Sequence, residues 1–282
     1  MSQLATMMPR LTTITLVTTD SSVSLLAMFP CLSRLTVELE DCLGQGFIEL
    51  LSHLGDQLKE VCVSCSSDPE AGIALDQVAG PAAQQGQLFN LAIMCVGLLA
   101  KRVGKLSVSG CGLVSSAAVT AIGLQDKIGD TSWLRRQSGQ WFSSLTSLIL
   151  MSYDDSVPSM TVHSGLIKSV LTSAKQLKII NIEGSFGSFF SDIYIGSIIF
   201  GNPLSSLSIL DICVSEEGGE AGRIPLTCHA VQLVMATCPM IRELRISDWS
   251  VSNMEYRELQ KMVKDNNWDL LITRKIRDTE DS

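Results

Sequence analysis

Apolar positions in this chain fall into one recurring phrase. In Phe29-Pro-Cys-Leu-Ser-Arg-Leu-Thr-Val-Glu-Leu-Glu-Asp-Cys42 they stand at Leu32, Leu35, Val37 and Leu39, with polar residues between them. A gap of three followed by gaps of two does not trace one helix face. It describes a chain that enters from a turn at Leu32 and then alternates in and out as a short strand. The phrase recurs with first apolar residues at Leu11, Leu32, Leu58, Val103, Leu145, Leu177, Leu207 and Ile241. Eight strands are therefore predicted.

Successive starts differ by 21, 26, 45, 42, 32, 30 and 34 residues. The two long intervals each contain a polar, loop-like run, at 66–87 and at 129–141, and without these inserts they shrink to 23 and 29. A corrected period in the twenties to low thirties is that of a solenoid. Between the strands lie segments with helical spacing. Leu43 to Leu58 carries Phe47, Leu50, Leu51 and Leu54, and Val162 to Ala174 carries Leu166, Ile167, Val170 and Leu171. His229 to Cys238 carries Val231, Val234 and Met235 and stops before Pro239, and a last helix opens at Ser252 with Glu255 placed as a capping box. A strand, a turn and a helix cannot bury their apolar sides alone, so such units stack.

Three phrases end in cysteine after the strand: Cys31-Leu-Ser-Arg-Leu-Thr-Val-Glu-Leu-Glu-Asp-Cys42, Leu58-Lys-Glu-Val-Cys-Val-Ser-Cys65 and Val103-Gly-Lys-Leu-Ser-Val-Ser-Gly-Cys111. They resemble leucine-rich repeats of the cytosolic, ribonuclease-inhibitor-like and cysteine-containing types. Cys238-Pro-Met-Ile-Arg-Glu-Leu-Arg-Ile246 resembles the helix-to-strand entry in the repeat region of F-box substrate receptors. The resemblance covers residues 4–273. It implies an α/β leucine-rich-repeat solenoid of about eight irregular repeats, strands on the concave face and helices on the convex face. It also implies a protein-interaction role, first as substrate recognition for a cullin-type ubiquitin ligase and alternatively as a non-degradative scaffold or inhibitor. The repeats at Leu145, Leu177 and Leu207 lack the closing Cys or Asn, so their turns must differ. No F-box-like helical segment precedes Leu11, so an adaptor would be a partner only if such a segment lay upstream in a longer chain.

Composition agrees with a large core. The 282 residues are 46% hydrophobic and 18% charged, and one elongated domain, 1–282 with a polar tail at 274–282, is expected. A net charge of −8 argues against nucleic acid as the partner, because such binders carry a basic footprint. Acidic stretches at Asp154-Asp155, Glu216-Glu217 to Glu220 and Asp278 to Asp281 read as solvated loops. The most apolar window, Leu88 to Ala100, is too short to span a bilayer, and no secretory leader is legible, so no membrane is expected. Nine cysteines scattered through apolar phrases suit reduced thiols in the cytoplasm or nucleus.

Candidate chemistry is thin, and an enzyme is not expected. His53, His163 and His229 are far apart in sequence, and Cys62 and Cys65, though spaced C-x-x-C, should point to opposite sides of a strand. Neither a metal nor another cofactor is expected. Ser109-Gly-Cys-Gly112 reads as a closing turn, since G-x-S-x-G is absent. The residues between the core positions should instead line one shared face. On the second to fifth strands they are Arg34, Thr36 and Glu38, Glu60, Cys62 and Ser64, Lys105, Ser107 and Ser109, then Ser147, Ile149 and Met151. Further on come Ile179, Asn181 and Glu183, then Ile209, Asp211 and Cys213, and last Glu243, Arg245 and Ser247. Ile149, Met151, Ile179 and Ile209 form an apolar centre, which Asn181, Glu183, Asp211, Glu243 and Arg245 border as a polar rim. A protein partner is expected there, unless the insert at 129–141, with Trp133 and Trp141, covers it.

Overall fold

A computed structural model describes residues 6–40, 45–65, 96–97, 99–110, 142–151, 164–183, 190–213, 226–247 and 249–274. The expected inserts at 66–87 and 129–141 lie outside these residues, as do Cys42, Cys111, His163, the acidic stretches and the tail beyond Arg274.

Nine parallel strands form one open sheet in chain order: β1 (Thr13–Thr18), β2 (Arg34–Leu39), β3 (Glu60–Cys65), β4 (Lys105–Gly110), β5 (Ser147–Met151), β6 (Ile179–Glu183), β7 (Ile209–Ile212), β8 (Glu243–Arg245) and β9 (Leu271–Thr273). All eight strands expected from the periodic phrase are present. The ninth, Leu271–Thr273, is one more than the sequence pattern gave. Described helices are α1 (Asp20–Val23), α2 (Gln45–Leu54), α3 (Ser164–Ser173), α4 (Asp192–Gly201), α5 (Cys228–Thr237) and α6 (Asn253–Asp265), with a 3₁₀ turn at Ser24–Met28. The result is an α/β solenoid of strand–helix repeats.

The strands exist because β-branched and leucine side chains alternate with polar ones. Leu35, Val61, Leu106, Leu148, Ile180, Leu210, Leu244 and Ile272 stand in one register row, all buried on the helix side. The first apolar residue of each later phrase is buried too, Leu32, Leu58, Leu145 and Leu207 completely, while Leu11 of the first is half-buried. A backbone device repeats beside this row. The carbonyl just before each of the first seven strands accepts two N–H groups from the next repeat, for example Thr12 from Ser33 and Arg34, Ser33 from Lys59 and Glu60, Thr146 from Lys178 and Ile179, and Ser208 from Arg242 and Glu243. This fixes the register at the strand entry, so every repeat starts level with its neighbour.

The helices stop where their sequences demand. Thr227 caps α5 by accepting from the His229 N–H, and α6 opens on the expected capping box of Ser252 and Glu255. α4 was not legible as a helix because Asp192–Gly201 is apolar on every side, leaving no amphipathic stripe to read. Consecutive helices touch, α3 against α4 and α4 against α5. Paired strands sit about 4.8 Å apart, whereas packed helices need about 8–10 Å. Stacking such units bends the array with the sheet on the inner side.

Close packing also sets single residues. A Cβ on Gly55 would overlap the Leu99 carbonyl oxygen, so only glycine lets these backbones meet. Phe142 and Leu204 adopt left-handed backbones, with φ of 52° and 49°, and both occupy the buried position three residues before a phrase begins. Among the described residues no helix is long and apolar enough to cross a membrane.

Candidate functional site

The open face of the sheet is built by alternation. Every second strand residue turns away from the helices, and the parallel register arranges these residues in rows. One row runs Lys105, Ser147, Ile179, Ile209, Glu243 and Leu271 across β4 to β9, and the next runs Ser107, Ile149, Asn181, Asp211, Arg245 and Thr273. A third holds Ser109, Met151 and Glu183. Ile179 and Ile209 are direct neighbours, while Ile149 lies in the adjacent row between Ser107 and Asn181. The apolar centre is thus a diagonal step of isoleucines rather than a single row.

Ile149, Met151, Ile179, Asn181, Glu183, Ile209, Asp211 and Glu243 are all half-buried, and Arg245 is exposed. Isoleucine also favours strands for its own sake, because a β-branched side chain fits the pleated surface. Two residues expected on the open face do not project to solvent: Ser147 is 8% exposed and Ser247 is 9% exposed. Ser147 is screened in its row between the longer Lys105 and Ile179. Ser247 lies past the end of β8, where alternation no longer governs direction. The loop containing Trp133 and Trp141 lies outside the described residues.

Charge is organised at both ends of the face. Arg34 pairs with Glu60 on the neighbouring strand at 3.1 Å. On the other side Arg245 donates from Nε to Glu243 at 2.7 Å and from Nη1 to Asp211 at 3.1 Å. Glu243, then Asp211, raise the Arg245 guanidinium above its ordinary value. Each ion pair is solvent-screened and worth at most about 1 kcal/mol, so the triad fixes side-chain direction more than it stabilises the fold. Sequence reasoning named Asp211 and Arg245 without pairing them. Their opposite charges at the same strand position in consecutive repeats were the available signal. It also missed Leu271, 58% exposed at the end of the isoleucine row, because a three-residue strand leaves little alternation to read.

Among the described residues thiols and histidines do not gather on this face. Cys62 is half-buried in the row with Thr36 and Ser107. Cys228 lies at the start of α5, where its thiol donates to Glu255 at 3.1 Å and stands 4.0 Å from the ring Nδ1 of His229. Hydrogen bonding to Glu255, followed by desolvation, raises the Cys228 thiol, so its neutral form is favoured. Burial likewise raises Cys238 and Tyr194. Among the described residues no group of three or more His, Cys, Asp or Glu side chains is placed to hold a metal.

In sequence the chain matches no protein-family model. No characterised protein is matched either. In structure it is similar to a Bacteroides fragilis protein solved by a structural genomics consortium, with 12% identity, a TM-score of 0.39, and coverage of 90% of this chain and 68% of the other.

Proposed function

We propose that this chain is a protein-interaction module of the leucine-rich-repeat type whose partner docks on the open face of the sheet. The observation that carries the reading is the row in which Ile179 and Ile209 stand side by side on the open face, bordered by the Glu243–Arg245–Asp211 triad. Apolar side chains ringed by ordered charge suit an interface, since the apolar centre supplies affinity and the rim excludes wrong partners. The inner side of a bent array also offers one surface continuous across repeats, which a convex helix layer does not.

The specific role we assign first is selection of a target for a cullin-type ubiquitin ligase. It rests on the likeness of the strand phrases to the repeats of F-box receptors. In that role the chain contributes a surface and no catalytic group. A non-degradative scaffold or inhibitor would use the same face. Affinity capture from native lysate with the full chain, beside Ile179→Glu, separates the readings. A face-dependent protein recovered together with adaptor and cullin supports target selection. A face-dependent protein without ligase subunits assigns a scaffold or inhibitor. Partners that ignore Ile179→Glu remove the site.

A further inference from the structure

The edge of the sheet at β1 is built unlike the rest. Ile14 and Leu16 face the helix side in register with Leu35 and Val37. Yet Leu35 is 1% exposed and Val37 0% exposed, while Ile14, Leu16 and the entry residue Leu11 stay half-buried. At the opposite edge the equivalent residue, Ile272 of β9, is 4% exposed, so that end of the core is closed. Val17 on the open side of β1 is 59% exposed, and in the segments flanking the strand Met7 is 78% and Leu25 44% exposed. Among the described residues β1 has a neighbour on one side alone. It reads Thr-Ile-Thr-Leu-Val-Thr, without the charge, proline or bulge that ordinarily blunts an edge strand.

We propose that β1 pairs antiparallel with β1 of a second copy of this chain, about a two-fold axis perpendicular to the sheet. Such an axis keeps both helix layers on the same side, so the half-buried apolar residues of the two copies close one another. Alternation restricts the register. Core-facing residues must oppose core-facing residues, since a slip of one would set Ile14 against an outward side chain. The register with Thr15 opposite its own copy satisfies this, placing Ile14 opposite Leu16 and Thr13 opposite Val17 of the second copy.

Charge favours the same arrangement. From Thr6 to Ser33 the sole charged residues are Arg10 and Asp20, so this end is neutral in a chain carrying −8. Joining β1 head-to-tail to β9 is the weaker alternative. β9 has three residues, its core row is already covered, and such a contact propagates into an open filament rather than closing.

Sedimentation of the full chain across the micromolar range tests the pairing. The expected mass is twice the 30.5 kDa of one chain. Thr15→Lys sets two ammonium groups opposite each other and should return the monomer mass, with circular dichroism unchanged because Thr15 is exposed. Under mild oxidation Thr15→Cys should form a covalent dimer, since directly opposed residues sit about 4.5–5.5 Å apart between Cα atoms, within disulfide reach. Thr13→Cys should not, and wild type with its exposed Cys31 supplies the background. A monomer at every concentration overturns the proposal. So does a dimer indifferent to Thr15→Lys, or cross-linking through Thr13→Cys rather than Thr15→Cys.

Discussion

Asp192, the first residue of α4, accepts two hydrogen bonds from Thr227, the residue that caps α5: one from its backbone N–H at 2.8 Å and one from its hydroxyl at 2.5 Å. The Thr227 hydroxyl, its proton committed to Asp192, is left free to accept from the His229 N–H that it caps. One repeat further on, the Cys228 thiol donates to Glu255 of the α6 capping box. The starts of three successive helices are therefore tied by side chains as well as by packing. Asp192→Ala should destabilise the fold by about 1.5–3 kcal/mol, the range for hydrogen bonds to a charged group. Urea unfolding measures it.

A second tie runs through Asn202, which is buried just after α4. Its Nδ2 donates to the Leu171 carbonyl at 2.7 Å and the Ala174 carbonyl at 3.1 Å, both at the end of α3, and its Oδ1 accepts from the Leu204 N–H. Leu204 holds a left-handed backbone at this turn. Asn202→Ala removes these three hydrogen bonds at a buried site and should cost about 1–3 kcal/mol. Asn202→Asp should be worse, because a carboxylate cannot donate to the two carbonyls and would be a buried charge. Denaturant midpoints of the two variants rank them.

Face and core separate at adjacent residues of β6. Ile180 is 1% exposed in the buried row, and Ile180→Ala should lose about 2–5 kcal/mol. Ile179 is half-buried on the open side, and Ile179→Ala should cost a fraction of that. Thermal unfolding of the pair checks it, and equal losses would mean that Ile179 is packed as core.

Acid acts through α6. The hydroxyl of Ser252, its backbone N–H and the Cys228 thiol hold the Glu255 carboxyl down to about 2, against an ordinary 4.5. Folding lowers this pKa. The carboxylate's contribution is therefore complete above 4.5 and disappears as the pH falls from 4.5 towards 2. The gap in Tm between wild type and Glu255→Gln should close across that interval. The same bond keeps Cys228 neutral, so Glu255→Gln should speed its alkylation at mildly alkaline pH, read by peptide mass spectrometry.

Much of this architecture was legible because alternation is clear in the first four strands and the spacing of the phrase carries it through β5 and β6. The gap of three and then twos at Leu32, Leu35 and Val37 encodes the turn, the buried row and the open row at once. The same spacing located Ile149, Ile179 and Ile209 on the open side. Three features were not legible, each for a physical reason. α4 is apolar all round and has no stripe. β9 is too short to alternate. The buried residue three positions before each phrase after the first, such as Phe29, Ala174, Leu204 and Cys238, was passed over because its chemistry varies while its place does not. The ties from Asp192 to Thr227 and from Asn202 to Ala174 connect residues far apart in the chain, and only the stacked repeats bring them within bonding distance.

The most direct test of the open face is the affinity of a captured partner for two single variants, measured by calorimetry. Ile179→Glu buries a carboxylate in the proposed centre, while Phe200→Ser alters the helix layer, where Phe200 on α4 is 95% exposed. The account predicts a loss of about thirtyfold or more with Ile179→Glu, as for a residue central to an interface, and unchanged affinity with Phe200→Ser. The reverse pattern would place the partner on the helices and contradict the account.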